Sequence, residues 1–168
     1  MKIAQVRKLD IANGPGIRAS IFVSGCTHNC KNCFNKEYQN FNYGLDFSQK
    51  EQEIMSIMEN PMVTGLNVLG GEPLQQINDT DLQNLLESVS KTEKPIWLWT
   101  GYTFEEILAS PNKDKLQGIL QYVDVLIDGR FIEEKKNLNL KYRGSSNQRV
   151  LDCKKSLEQS KATPVDIL

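Results

Sequence analysis

The sequence lacks a long apolar run, since no stretch reaches the about 18 consecutive apolar residues of a membrane-spanning helix. Its first residues also lack the apolar centre of a secretory signal peptide. Neither sign of charge is in excess, because the sequence has 20 Lys and Arg residues and 21 Asp and Glu residues, which gives a net charge of -1. Proteins that neutralise nucleic-acid phosphates are usually basic. These absences predict a cytoplasmic protein that binds neither membranes nor nucleic acids.

Internal repeats and low-complexity tracts are also missing. Hydrophobic residues make up 39% of the 168 residues and charged residues 24%, which excludes a disordered chain and a collagen. A chain of this length forms one domain that buries roughly 70% of its unfolded surface. We therefore expect a single domain over residues 1–168, with an N-terminal hairpin segment at 1–17 and a polar C-terminal tail at 153–168.

Four cysteines are present, and three of them, Cys26, Cys30 and Cys33, form a C-x3-C-x2-C run. In a cytoplasmic protein, clustered thiols indicate a metal or redox site rather than disulfides. Two kinds of centre agree with the spacing. Structural zinc needs a fourth ligand, which His28 or Cys153 could supply. A [4Fe-4S] cluster on three cysteines would instead keep one iron open to a substrate.

Short apolar strands alternate with helical patterns, as in α/β proteins with buried parallel strands. The predicted strands cover residues 2–10, 18–24, 65–69, 96–99, 123–127 and 148–151. Capping boxes at Ser48 and Thr103 and the leucine spacing from Leu82 onward predict the helices. The expected fold is a partial, open TIM-like barrel of roughly five to six mostly parallel strands, because a closed barrel takes about 200 residues or more.

Unusual residues follow each of four predicted strands. The cysteines come after the strand at 18–24, and Gly70-Gly71-Glu72-Pro73 follows the next strand. Thr100-Gly101-Tyr102 and Asp128-Gly129 follow the two strands after that. Ligands of parallel α/β sheets bind at the carboxyl ends of the strands. The sequence therefore predicts one site at this edge of the sheet.

The cysteine run followed by Phe34 resembles the radical S-adenosylmethionine (SAM) enzymes, and the Gly-Gly-Glu-Pro run resembles their SAM-binding glycine motif. Further motifs resemble one subfamily, the activating proteins of anaerobic ribonucleotide reductases. They are Asn13-Gly14-Pro15-Gly16-x-Arg18, Trp99-Thr100-Gly101-Tyr102, Asp128-Gly129-x-Phe131 and Arg143-Gly144-Ser145-Ser146-Asn147-Gln148. The resemblance therefore covers nearly the whole chain.

The resemblance implies a glycyl-radical activase with a radical SAM core. Cys26, Cys30 and Cys33 would hold a [4Fe-4S] cluster, and SAM would chelate its open iron. Reductive cleavage of SAM would give methionine and a 5′-deoxyadenosyl radical. That radical would take a hydrogen from a glycine of the large reductase subunit, and a reductant such as flavodoxin would supply the electron. No catalytic residue beyond the cluster and SAM is implied.

Contacts to SAM are expected from Asn32, Cys33, Phe34, Gly70, Gly71, Glu72 and Thr100. Backbone groups of residues 32–34 would bond the edge of the adenine, and the ring of Phe34 or Tyr102 would flank it. The glycines would let the backbone approach the ligand without a Cβ between them. Glu72 would pair with the ammonium group. Cys153 is expected to stay an unligated thiol, and residues 143–148 to shape the docking surface or close the site.

Two alternatives remain open from the sequence. One is an activase of another glycyl-radical enzyme, such as formate lyase, or a small modifying enzyme with a low-molecular-weight substrate. The chain has no second cysteine cluster, which argues against activases with ferredoxin-like inserts. The other alternative is a zinc-stabilised binding module without catalysis.

Overall fold

The computed structural model describes residues 1–165 and has a seven-stranded sheet at its centre. The strands are β1 (Lys2–Asp10), β2 (Arg18–Val23), β3 (Leu45–Asp46), β4 (Leu66–Gly70), β5 (Ile96–Trp99), β6 (Val125–Asp128) and β7 (Arg149–Asp152). Their order across the sheet is β3-β1-β2-β4-β5-β6-β7. The carboxyl ends of β2, β4, β5 and β6 lie at one edge, because these four strands are parallel.

The flanking strands are antiparallel: β1 pairs with β2 and β3, and β7 pairs with β6. Strands β3 and β7 lie at opposite ends of the order and do not pair in the described part of the chain, so the sheet is open. The expected α/β class and open sheet are confirmed, whereas a TIM-like barrel is not. There are seven strands rather than five or six. The additional strand, β3, has only two residues, both exposed, so no apolar alternation in the sequence predicts it.

Five helices accompany the sheet: α1 (Phe47–Glu59), α2 (Asp81–Ser90), α3 (Phe104–Ala109), α4 (Lys113–Leu120) and α5 (Cys153–Gln159). Alternate strand residues, such as Val68 and Leu98, pack with the helices in the main core. The capping box predicted at Thr103 is present. The one predicted at Ser48 is wrong, because the N-cap of α1 is Asp46, two residues earlier. No helix within residues 1–165 is both long and apolar enough to cross a bilayer.

Helix α5 lies in the segment expected to be a polar tail. The Asp152 carboxylate caps it by accepting a hydrogen bond from the Lys155 amide at 3.0 Å. The helix brings Cys153 into the main core, where the thiol is fully buried and its Sγ lies 3.6 Å from the Leu120 carbonyl oxygen. The end of the expected tail, residues 166–168, lies outside the described residues.

The other face of the sheet carries a smaller apolar cluster that contains Trp97 and Trp99, to which the helices contribute no residue. A segment that we call the strap, residues 136–145, crosses this face. The Trp99 indole Nε1 donates to the Tyr142 carbonyl oxygen at 2.7 Å, and the Tyr142 ring meets Trp97 edge-on at 5.2 Å. The strap therefore covers a face of the sheet that would otherwise be exposed.

Besides the pairing of β2 with β4, the Arg18 side chain joins the hairpin of β1 and β2 to the rest of the sheet at the amino edge. Arg18 is 1% exposed, and its Nε donates to the Asn67 side chain at 2.7 Å. Its Nη2 donates to the carbonyl oxygens of Leu66 and Pro95, at 3.0 Å each. One side chain thus links β2 to the starts of β4 and β5, at the edge opposite the cysteines.

Candidate functional site

A cavity of about 600 Å³ lies at the carboxyl ends of the parallel strands and extends beneath the strap. All but one of the residues expected at the site line it, namely Cys26, Cys30, Cys33, Phe34, Gly70, Gly71, Glu72 and Thr100. Asn32 is the exception, because its side chain is exposed and does not line the cavity. Four separate loops thus meet at one site, as the positions after the strands predict.

The cysteine loop, residues 25–35, is held at its start by two backbone hydrogen bonds. The Gly25 amide donates to the Tyr38 carbonyl oxygen at 2.8 Å, and the Cys26 amide donates to Gln39 at 3.1 Å. Further along, Asn29 and Asn32 adopt left-handed backbone conformations with φ of 53° and 55°. Asparagine tolerates this region better than most residues. These two bends let a short loop turn all three thiols towards the cavity.

The three thiols form a donor set that fits an iron–sulfur cluster. Burial raises the pKa of Cys26 to about 11 and also raises the pKa of Cys30, so iron must displace their protons on binding. Within residues 1–165, no three His, Cys, Asp or Glu side chains converge closely enough to hold one metal ion. In a cubic cluster each cysteine binds a different iron, so the sulfur atoms need not converge on one point.

Neither residue considered as a fourth zinc ligand is placed to complete a tetrahedron. The His28 ring turns to Glu72, with Nε2 2.8 Å from a carboxylate oxygen. Cys153 lies in the main core among helix residues and does not line the cavity. The described residues therefore offer a three-cysteine site with an open side rather than a closed zinc site.

The Glu72 carboxylate, 1% exposed, accepts four hydrogen bonds from the protein. Oε1 accepts from the Leu74 amide at 2.9 Å and the Thr100 hydroxyl at 2.7 Å. Oε2 accepts from the Gly101 amide at 2.7 Å and His28 Nε2 at 2.8 Å. A carboxylate offers about four acceptor positions. The expected pairing with the ammonium of SAM therefore requires one donor to leave, and His28 is the donor from the cysteine loop.

The space that a Cβ of Gly70 or Gly71 would take is filled by protein backbone. A Cβ on Gly71 would lie 2.7 Å from the Gly25 carbonyl oxygen and 2.8 Å from that of Tyr38. A Cβ on Gly70, which has a φ of +107°, would lie 2.7 Å from the Val23 amide nitrogen. Strand β2 therefore crowds Gly70, and residues at the start of the cysteine loop and just after its end crowd Gly71. Both glycines also line the cavity, so the expected approach of their backbone to a ligand stays a prediction.

Only one of the two rings expected beside adenine lines the cavity. Phe34 does so, 61% exposed, with its ring centroid 4.8 Å from that of Phe131. Tyr102 lines a second cavity, and its hydroxyl accepts a hydrogen bond from Gln75 at 2.9 Å. Its ring meets His28 edge-on at 4.6 Å. His28, whose role the sequence reasoning missed, is the single histidine of the chain and stands inside the cysteine run, which is a signal that could have found it.

The run from Arg143 to Gln148 is an ordered corner that ties the strap to the end of β6. The Gln148 side-chain oxygen accepts from the amides of Gly144 and Ser145, at 2.8 and 3.1 Å. Its Nε2 donates to the Gly129 carbonyl oxygen at 3.0 Å. Arg143 Nη1 donates to the Gln148 carbonyl oxygen at 2.8 Å. The corner therefore fixes the position of the strap relative to the end of β6 and to the cavity.

Comparisons with known proteins show the family of the chain. The family model described as a 4Fe-4S single cluster domain matches residues 12–151. Relatives from Vibrio cholerae and Haemophilus influenzae are each 40% identical over 154 residues, which is 88% of this chain and 96% of each relative. An Escherichia coli relative is 36% identical over 153 residues, 88% of this chain and 96% of its own. All three are named anaerobic ribonucleoside-triphosphate reductase-activating protein. The chain belongs to this family.

Membership in the family of anaerobic ribonucleoside-triphosphate reductase-activating proteins bears on the cysteines in particular. The matched range contains Cys26, Cys30 and Cys33 and ends before Cys153. The part of the chain that matches the cluster domain is thus the part that places three thiols around one cavity. Family and geometry together support an iron–sulfur cluster on the cysteine loop.

Proposed function

We propose that this chain activates an anaerobic ribonucleotide reductase by radical SAM chemistry. The observation that carries the proposal is the meeting of three thiols and the Gly-Gly-Glu turn around one open cavity, in a chain of the reductase-activating family. Cys26, Cys30 and Cys33 would hold a [4Fe-4S] cluster. The reductase that appears in the relatives' names would be the protein substrate.

The residues around the cavity would bind SAM in two groups. Phe34 would lie beside the adenine, with backbone groups of Asn32 and Cys33 at its edge. Gly70, Gly71, Glu72 and Thr100 would form the wall at the amino-acid end. The Thr100 hydroxyl already donates to Glu72, so its part would be to hold the carboxylate in place rather than to contact SAM directly.

The protein would supply position and protection from water, while the cofactors supply the radical chemistry. When bound, a reduced cluster would supply the one electron that cleaves a sulfur–carbon bond of SAM, which gives methionine and a 5′-deoxyadenosyl radical; taking a hydrogen atom from a glycine of the reductase would convert that radical to 5′-deoxyadenosine. The Phe34 and Phe131 rings and the strap would limit access of water. Glu72 accepts hydrogen bonds from four donors, so its part would be to hold the surrounding loops in place. A reductant such as flavodoxin would supply the electron.

Anaerobic reconstitution tests this proposal. With iron and sulfide, the wild-type chain should bind about four of each, because that is the content of one cubic cluster. With a reductant, SAM and the anaerobic reductase of the same organism, electron paramagnetic resonance should then detect a glycyl radical on the reductase. A colourless protein with one zinc, or a fully loaded protein that produces no such radical, would contradict the proposal.

Two cysteine variants form a matched pair for the same experiment. Cys26→Ala should lose both the cluster and the radical, since it removes a thiol that lines the cavity. Cys153→Ala should keep its iron, because that thiol lies in the core beside Leu120. Equal iron loss in the two variants would show that the cluster is not held where we place it.

A further inference from the structure

The strap and the residues next to it carry exposed apolar and basic side chains, of which only Phe34 has a part in the proposed function. Leu138 is 83% exposed, and Phe34, which lines the same cavity, is 61% exposed. Lys136 Nζ lies 5.3 Å from the Phe34 ring centroid and thus joins the apolar and basic parts. We call Phe34, Lys135, Lys136, Leu138 and Lys141 the strap surface. Exposed apolar side chains grouped in this way mark interaction sites more often than isolated ones do.

The strap surface has a fixed shape. Lys136 and Ser145 form an antiparallel bridge. The Asn137 amide donates to the Gly144 carbonyl oxygen at 3.1 Å, which closes the loop next to that bridge. Gly144 lies directly beneath Phe34, since a Cβ there would be 3.0 Å from the ring. Leu138 is therefore exposed on a well-bonded loop that is anchored to the sheet.

The charge of this region differs from that of the whole chain. Residues 130–148 contain five basic and two acidic side chains, whereas the chain as a whole has a net charge of -1. Lys135, Lys136 and Lys141 are exposed, and among the described residues they take part in no ion pair. Three unpaired cations beside exposed apolar groups are complementary to an acidic, partly apolar partner.

We propose that the strap surface docks an acidic, partly apolar segment of the reductase beside the glycine that is to be activated. This inference rests on the proposed function, because that function requires a protein backbone to reach the cavity. Leu138 and Phe34 both line the cavity and are also exposed, so a segment that covers them lies at its mouth. The apolar pair would form the centre of the contact and the lysines its rim, as is usual in interfaces.

Reversal of the strap charges tests the proposal. The variant Lys135→Glu/Lys136→Glu/Lys141→Glu, loaded with its cluster, is compared with wild type for association with the same organism's reductase by surface plasmon resonance. At low ionic strength the association rate should fall roughly tenfold or more, because electrostatic steering is lost. The difference should shrink as salt is added. Cleavage of SAM by dithionite-reduced protein without the reductase should equal that of wild type.

The matched control is Lys91→Glu/Lys113→Glu/Lys115→Glu, which changes the net charge equally at the end of α2 and on α4. It should associate like wild type. Leu138→Ser should speed dissociation without changing the salt dependence. The docking proposal is wrong if the strap triple variant associates like wild type, or if both triple variants weaken association equally. A wild-type protein that binds the reductase but never cleaves SAM would instead refute the proposed function alone.

Discussion

Glu72 holds three loops of the site together through its two carboxylate oxygens. His28 reaches it from the cysteine loop, Leu74 from its own turn, and Thr100 and Gly101 from the end of β5. This buried carboxylate keeps all four of its hydrogen bonds only while these three loops stay in their positions. At the residue scale, the shape of the cavity therefore depends on one side chain.

Replacing Glu72 by glutamine should destabilise the apoprotein. In glutamine, an amide nitrogen replaces one of the two carboxylate oxygens, so a hydrogen-bond donor meets the two donors from which that oxygen accepted. Each buried unsatisfied group costs about 1–3 kcal/mol. We expect the free energy of unfolding, measured in urea, to fall by about 1–3 kcal/mol. The control is Glu87→Gln, since Glu87 is exposed on α2. If both variants were equally stable, the bonds to Glu72 would not matter for folding.

The sequence predicts the cysteines at this scale because their spacing is local, with all three inside the eight residues from Cys26 to Cys33. It does not predict the bond between His28 and Glu72, which are 44 residues apart. Their meeting depends on two parallel strands ending at the same edge of the sheet. Nor does the sequence reveal that protein backbone fills the space beside Gly71. Side-chain roles that depend on packing across strands require the fold.

At the scale of elements, Arg18 joins β2 to the starts of β4 and β5 at the edge away from the cysteines. Burial lowers the pKa of Arg18 to about 10, which leaves it charged at neutral pH. Two carbonyl oxygens depend on its guanidinium, those of Leu66 and Pro95. The Asn13–Arg18 motif thus serves the assembly of the sheet, although the resemblance only marks it as typical of the subfamily.

Gly65→Ala should weaken the link between Arg18 and the starts of β4 and β5 without changing the cysteine site. The new Cβ would lie 2.3 Å from Arg18 Nη1, so the guanidinium must shift and lose a partner. We expect the free energy of unfolding in urea to fall by about 1–3 kcal/mol, while the iron content after reconstitution stays that of wild type. Gly118→Ala on α4 is the control, because its nearest neighbour is the flexible end of Gln83 at 3.1 Å. An equal loss of stability in the control would contradict the argument.

Elements with strong local patterns can be predicted from the sequence. The apolar strands and the capping box at Thr103 are examples. Helix α5 is not predicted from the sequence, because only two of its residues, Cys153 and Ser156, are buried. The strap is not predicted either, because its bonds run to the Trp99 indole on β5 and, through Gln148, to Gly129 directly after β6. Polar segments that depend on distant partners look like loops in the sequence.

At the scale of the whole molecule, Asp10 contributes stability that depends on pH. Burial disfavours its charge, but hydrogen bonds from the Asn13 side chain, the Ser20 hydroxyl and the Ala12 amide outweigh this and lower its pKa below the ordinary value of 3.8. A lowered folded-state pKa stabilises the protein above the unfolded-state value. That stability is lost as pH falls through the folded-state value.

Urea unfolding at a series of pH values should reveal this dependence. The free energy of unfolding of wild type should decline below about pH 4. Asp10→Asn should be less stable at neutral pH and should show a shallower decline in acid. Asp114→Asn, at an exposed position on α4, should follow the wild-type curve. If Asp10→Asn kept the full acid decline, other carboxylates would be responsible for it.

Both tryptophans of the chain lie on the face beneath the strap. The Trp99 indole bonds to the strap itself, and Trp97 lies between the Tyr142 ring and the Arg18 guanidinium, whose carbon is 5.2 Å from the indole centroid. The tryptophan fluorescence of the protein therefore reports on the face beneath the strap, where Trp99 also lines the cavity. Its intensity and wavelength offer an unlabelled optical signal for whatever enters the cavity or lifts the strap.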